Sequence, residues 1–467
     1  MKQQELVEFI DSFWDASILP SLQDYVRIPN KSPMFDPAWQ ENGYMDDALS
    51  LVMNWVDDQE VPGLTMTLHR LDKLTPTLLL ELPGTRDGTV LIYGHLDKQP
   101  EFTGWYEDLG PWDPVIKEDK LYGRGGADDG YAIYSAIAGI KALQAQQLEL
   151  PRIVIIIECS EESGSPDLPH YMAALENQVS DTDLVIALDS TCGNYEQLWL
   201  TTSLRGMLIG ELTVRVLEQC AHSGTAGGVV ASSFRILRQL ISRIEDETTG
   251  TILPSFLNEQ IPQARRTEAI AAGEVLSDSF TTMYTYAGQG HPVTSDATEL
   301  VLNNTWLASL EITGMDGVPN LRDAGNVLRP STTAKLALRL PPTTHAADAA
   351  EKLKQLVTGS APYDCDVALE FDTPNPGWHA PLTSEKLARS TQSASQAFFG
   401  APAISMGCGG SIPFMQFLAE KLPQAQFMVT GVLGPHSNAH GPNEFLHIPA
   451  AKKLTACVAK VIHDWGS

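Results

Sequence analysis

Histidines and carboxylates stand at the ends of apolar runs in this chain: His95 with Asp97, Glu161 with Glu162, and Asp189. Asp128 in a glycine-rich stretch and His440 near the C-terminus complete the set. Imidazole and carboxylate are the donors that zinc, manganese and cobalt accept. Two cations a few ångströms apart need a ligand with two donor oxygens between them, and further imidazole and carboxylate on each side. The adjacent side chains of Glu161 and Glu162 diverge, so one can bind metal while the other faces a water made acidic by the cations. That second glutamate would take the water's proton and pass it to a leaving nitrogen.

Each of these residues needs an element to deliver it. Thr89-Val90-Leu91-Ile92-Tyr93-Gly94 runs into His95-Leu96-Asp97, Arg152-Ile153-Val154-Ile155-Ile156-Ile157 leads to Glu161, and Asp183-Leu184-Val185-Ile186-Ala187-Leu188 ends at Asp189. Unbroken apolar runs suit strands covered on both faces. In an open α/β sheet, ligands gather outside the carboxyl ends of such strands. Helical spacing from Leu6 to Val26 and from Tyr44 to Val56, strands at Thr65–His69 and Thr77–Leu82, and helices after Asp128 and near Leu168–Leu175 predict an α/β fold. Its catalytic domain is a mainly parallel sheet with helices on both faces.

After about Leu200 the texture changes. Strands are expected at Met207–Val216, Thr305–Ile312 and Thr333–Leu340, and helices at Gly228–Ile244 and Ala346–Val357. This predicts an inserted α+β lid or dimerisation domain over residues 201–380, interrupting a catalytic metal-binding domain made of 1–200 and 381–467. Gln426–Thr430 reads as a strand leading towards His440. The stretch Gly123-Arg124-Gly125-Gly126-Ala127-Asp128-Asp129-Gly130 lacks the spacing of a nucleotide fingerprint, so a metal carboxylate is a better reading of it than a phosphate cradle.

The chain has 467 residues, 31 Lys plus Arg and 58 Asp plus Glu, for a formal net charge of −27. That sign repels phosphate backbones and argues against a nucleic-acid partner. The six cysteines have no paired spacing, which argues against thiolate zinc sites and disulfide frameworks. With no apolar run long enough for a bilayer and no secretory pattern at the N-terminus, a cytoplasmic protein without a membrane partner is expected.

Gly94-His95-Leu96-Asp97, the 123–129 stretch, Glu161-Glu162-Ser163-Gly164-Ser165, Asp189 and Asn438-Ala439-His440-Gly441-Pro442-Asn443-Glu444 occur in one order over nearly the whole chain. Together they resemble the aminoacylase, carnosinase and carboxypeptidase G superfamily of dinuclear zinc metallopeptidases, in its carnosinase-like dipeptidase branch. The resemblance implies two divalent ions, zinc first and manganese or cobalt as alternatives. Asp128 would bridge them, His95 and Asp189 would hold one, and Glu162 and His440 the other. Glu161 would be the general base and Asp97 would orient His95. It also favours His440 over His436, four residues earlier, and implies a cis Asp128–Asp129 peptide bond.

By the same resemblance His222 would reach across a homodimer to steady the oxyanion in the partner's site. Asn326, Arg339, His379 and Ser411 would contact substrate, Arg339 gripping a carboxylate. The plainer readings are an exposed turn histidine for His222, which the motif match outweighs, and an outward strand residue with a surface partner for Arg339. Carnosinase-type dipeptidases usually carry a glutamate where Cys408 stands, and that glutamate receives the substrate's amino group. A neutral thiol cannot do so, which turns the expectation towards a blocked or displaced amine. The expected function is therefore hydrolysis of an amide next to a free carboxylate, in a small peptide or an N-acyl amino acid. The rival is a catalytically silent homologue serving as a binding or scaffold module.

Overall fold

In the computed structural model, residues 1–466 are described, the side chains of 278–281 and 413 excepted. The apolar runs become neighbouring strands of one six-stranded sheet in the order Thr65–His69, Thr77–Leu82, Arg152–Glu158, Thr89–His95, Leu184–Ala187 and Gln426–Val429. The last four are parallel and the first two run antiparallel at one edge. The strand Thr89–His95 is buried along its whole length, as its unbroken apolar sequence requires.

Alternation is present but hidden, because both faces are apolar. Leu78, Leu80, Ile92, Ile155 and Ile186 face one layer, which includes helices Gln3–Phe13, Tyr44–Asp58, Tyr131–Ala145 and Ile448–Trp465. Leu79, Leu91, Val154, Ile156 and Val185 face the other, with Leu168, Met172, Met415 and Leu418. Truncating one such Ile or Leu to Ala costs about 2–5 kcal/mol, so both layers hold the strand ends in place. The stretch Leu6–Val26 is helical as its spacing predicts, with a π-turn over Trp14–Ile18 between Gln3–Phe13 and Leu19–Val26.

A second sheet orders Ser309–Asp316, Ser331–Leu340, Gly206–Arg215 and Asp366–Phe371, all antiparallel. Here the burial of Ser331–Leu340 alternates residue by residue, the mark of a sheet covered on one face. Leu208, Leu212, Leu336 and Leu338 pack with Ile236, Leu240 and Leu353 of the helices Ser233–Ile241 and Ala346–Thr358 in a separate core. The helix expected from Gly228 begins only at Ser233, where the Ser232 hydroxyl caps it by accepting from Arg235 N–H.

Two further helices, Gln263–Thr282 and Ala297–Thr305, were not foreseen, and Thr305 closes a helix where a strand was expected. Their contacts use small residues: Ala269 and Ala272 pack with Val301, Trp306 and Trp199, and against Ile404 and Met406. A Cβ on Gly273 would lie 2.9 Å from Thr298 N, so the two helices touch backbone to backbone. Alanine and glycine at contact positions give no apolar stripe, which is why periodicity did not reveal them. Among the described residues no helix is long and apolar enough to cross a membrane.

Candidate metal centre

Strand Thr89–His95 carries His95 at its end, 1% exposed. Gly94 before it is required by packing, since a Cβ there would lie 2.6 Å from the Ala132 Cβ and 2.8 Å from Asp129 Oδ2. The imidazole Nδ1 lies 3.0 Å from the carbonyl oxygen of Asp97 and 3.5 Å from its Oδ1. A proton on Nδ1 leaves the lone pair on Nε2 for a cation. Nε2 is buried with no hydrogen-bond partner, 3.3 Å from Asp128 Oδ1 and 3.8 Å from Asp189 Oδ2.

Asp128 faces a second set with its other oxygen. Oδ2 is 3.0 Å from His440 Nε2, which is itself 3.3 Å from Glu162 Oε2. The residues thus form two triads, His95/Asp128/Asp189 and Asp128/Glu162/His440, with the donor atoms of each within 4.8 Å of one another. The shared aspartate and the orphaned imidazole nitrogen fit a pair of divalent cations. It is His440 that joins this cluster, and not His436. The Asp128–Asp129 peptide bond is cis.

Asp97 does more than its sequence position suggested. Its carboxylate, fully buried, accepts the backbone N–H groups of Glu161 at 3.0 Å and Glu162 at 2.9 Å. One residue therefore fixes the turn that presents both glutamates and lies against His95. Gln99 donates to Glu162 Oε2, and Glu161 Oε2 is 3.9 Å from His95 Nε2.

Crowded acids show in the proton affinities. Burial, then the charge of Asp128, pushes the Asp189 carboxyl up to about 6. Burial raises Glu161 and Glu162 well above the usual carboxylate range, helped by Asp189 and Asp128 respectively. Asp128 is the exception: burial pushes it up, but His440 and His95 outweigh that and hold it low. Asp128, Asp97 and Asp189 raise His95, against its own burial. Such a site exchanges protons for cations.

Several contributing residues were missed in the sequence. Arg124 and Glu444 form a buried pair, each side chain 1% exposed. Arg124 also donates to the Gly441 carbonyl, and Glu444 accepts Gly125 N–H at 2.9 Å. The pair ties the loop that carries Asp128 to the loop that carries His440. Both residues stood in motifs already singled out, but 320 positions apart, with nothing local to say they meet. Glu158, at the end of its strand, accepts from Tyr93, Ser160 and Ser165; burial, then Asp97, pushes it up to about 7.

A cleft of about 770 Å³ opens beside this cluster. It is lined by Ala439, next to His440, by His436, and by Arg205, Arg339 and Cys408. Arg339 Nη1 donates to Ser411 Oγ at 3.3 Å. His379 is engaged elsewhere: Arg265 Nε donates to its Nε2 at 3.1 Å, and Arg265 is in turn paired with Glu268. His222 and Asn326 lie in an exposed ribbon where Ala221–His222 pairs with Val327–Leu328. Among the described residues their polar contacts are local: Gly224 N–H donates to His222 Nδ1 and Ser223 N–H to the Asn326 carbonyl.

Residues 91–464 match the model of peptidase family M20/M25/M40. The chain belongs to this family. Among relatives in the M20 family, a cysteinylglycine-S-conjugate dipeptidase of Corynebacterium striatum is 24% identical over 413 residues, covering 85% of this chain and 87% of that protein. A Beta-Ala-His dipeptidase of Homo sapiens is 28% identical over 350 residues, covering 73% of this chain and 68% of the relative. The structure of the dipeptidase Dug1p from Saccharomyces cerevisiae superposes over 100% of this chain and 98% of its own, with a TM-score of 0.79 at 20% identity. This M20 chain is therefore a metal-dependent peptidase by family, built on that shared fold.

Proposed function

We propose that this M20 enzyme hydrolyses the amide bond of a dipeptide or a comparably small N-acyl amino acid, next to a free carboxylate. The observation that carries this is the pair of ligand triads sharing Asp128, with Glu161 beside them and a cleft holding Arg339 alongside. Named relatives act on dipeptides, which supports the substrate size. His95, Asp189 and Asp128 would hold one cation, and Asp128, Glu162 and His440 the other. The oxygen-rich donor set suits zinc, with manganese or cobalt as alternatives. Bound cations supply Lewis acidity, polarising the scissile carbonyl and making water acidic near neutral pH.

The chain's own groups do the rest. Glu161 accepts the water's proton on its carboxylate and returns it to the leaving nitrogen. Arg339 positions the substrate carboxylate through the planar fork of its guanidinium. Asp97 keeps the Glu161–Glu162 turn and His95 in register. The test is Glu161→Gln: metal content and fold stay as in wild type while turnover falls about a hundredfold or more. Turnover within a fewfold of wild type takes Glu161 out of the role.

We place the protein in the cytoplasm as a homodimer, with residues 201–380 as lid and pairing segment. Six free cysteines support the compartment. The exposed ribbon bearing His222 and Asn326, with partly exposed Ile312 and Met315 on the edge strand Ser309–Asp316, supports a partner surface. His222 would then complete the partner's site. Mixing inactive Glu161→Gln and His222→Ala chains under exchange restores activity if it acts across the dimer; confirmed exchange without activity refutes that.

A further inference from the structure

Among the described residues three arginines are buried, Arg124, Arg205 and Arg265, at 1%, 6% and 5% exposure. Arg124 is paired with Glu444 and Arg265 with Glu268. Arg205 has no carboxylate partner among the described residues, although the chain holds 58 Asp plus Glu against 31 Lys plus Arg. Its Nε donates to the Gly409 carbonyl, and its Nη1 to the carbonyls of Asn303 and Leu307 and to Ser309 Oγ. These bonds fix the guanidinium and leave Nη2 without a hydrogen-bond partner among the described residues, on a residue that lines the cleft.

Arg339 stands beside it. In the antiparallel ladder Arg339 pairs with Met207, and Arg205 precedes the ladder's last pair, Leu340 with Gly206, by one residue; both arginines line the cleft. Arg339 likewise has no carboxylate partner among the described residues, only Ser411. Burial and then the Arg339 charge pull the Arg205 guanidinium down to about 10, which marks two like charges with no acid between them. The cleft lining contains no Asp or Glu at all among the described residues, and Cys408 lies near both guanidiniums. Two partly dehydrated cations side by side repel unless an anion joins them, and one guanidinium already suffices for a carboxylate.

We propose that this cleft selects substrates whose C-terminal residue is a dianion, an aspartyl or glutamyl residue, with Arg339 on one carboxylate and Arg205 Nη2 on the other. The proposal rests on the reading above, that an amide next to a free carboxylate is cut here, and names the substrate class.

The test compares neutral and acidic isosteres on the metal-loaded wild-type enzyme: Gly-Glu against Gly-Gln, and N-acetylglutamate against N-acetylglutamine. The acidic member of each pair is expected to have a kcat/KM higher by about 10- to 100-fold, the scale of one charged hydrogen-bonded contact. Calorimetric titration with free glutamate and glutamine should show the same order of affinity. Arg205→Gln should collapse the preference to within about twofold; if that variant does not fold, the wild-type comparison and Arg205→Lys still decide. Equal rates on both members of each pair overturn the proposal. So does an Arg205 variant that loses activity on both alike with the ratio intact, since both guanidiniums would then grip one carboxylate. Failure to cut any amide beside a carboxylate, with metals bound, refutes the underlying reading instead and takes this inference with it.

Discussion

Replacing Asp97 with asparagine tests whether one buried carboxylate organises the whole centre. Its two oxygens accept the N–H groups of Glu161 and Glu162 at 3.0 and 2.9 Å, and the side chain is fully buried. Asparagine keeps the shape and one acceptor, but turns an NH₂ towards the other N–H. One charge-assisted bond is lost and a buried donor is left unpaired, at a cost of about 2–3 kcal/mol. At about 1.4 kcal/mol per tenfold, that is roughly a 30- to 150-fold effect if it falls on the metal-competent arrangement of the turn. The expected outcome is weaker cation binding by about 10- to 100-fold, measured by competition with a chromophoric chelator, and reduced turnover even at saturating metal. Affinity and turnover both within twofold of wild type, in a variant with an unchanged melting temperature, would refute the organising role.

Asp128→Ala should lose both cations, because that residue belongs to both triads; elemental analysis showing two tightly held ions per chain would place the bridge elsewhere. Glu444→Gln leaves Arg124 buried without its counter-charge, at a cost of about 3–5 kcal/mol, read as a drop in melting temperature; adding Arg124→Met should recover part of it, and no drop would sink the pairing argument. Metal uptake should depend on pH with a defined sign. Asp189 is raised from the ordinary 3.8 to about 6, so below about 6 it holds a proton that a cation must displace. Proton release on loading, followed by calorimetry in buffers of different ionisation heat, should therefore be larger at about pH 5.5 than at about pH 8. The same raised group stabilises the metal-free fold below about pH 4 and loses that contribution as pH rises through about 6, so the melting temperature of metal-free protein should fall over that window; Asp189→Asn should flatten this.

The strands that deliver His95, Glu161, Glu162 and Asp189 were legible because a doubly covered parallel strand is apolar throughout and stops abruptly at a polar residue. His95, Asp128, Glu161, Glu162, Asp189 and His440 could be singled out because each stands in a local motif, and the five proposed ligands among them fall into the two triads. What stayed hidden was long-range or small. Arg124 with Glu444, and Arg205 with Arg339, join residues far apart in the chain, and a one-dimensional pattern does not show which charges meet. The helices Gln263–Thr282 and Ala297–Thr305 pack through alanine and glycine, and so carried no stripe to read. The hydrogen bond from Arg265 to His379 was likewise hidden, because Arg265 stands on one of those unforeseen helices.

The place of Gln426–Val429 in the central sheet bears on how the protein is made. It closes the edge of Leu184–Ala187, yet residues 188–425 lie between them in the chain. While the ribosome is still supplying that intervening stretch, a short strand of Leu, Val, Ile and Ala waits with its hydrogen-bonding edge bare. Exposed apolar edges of that kind recruit strands from other chains. Until residues 426–429 emerge, the half-built sheet keeps an unpaired apolar edge, and chains ending before residue 426 should aggregate more readily than the full chain.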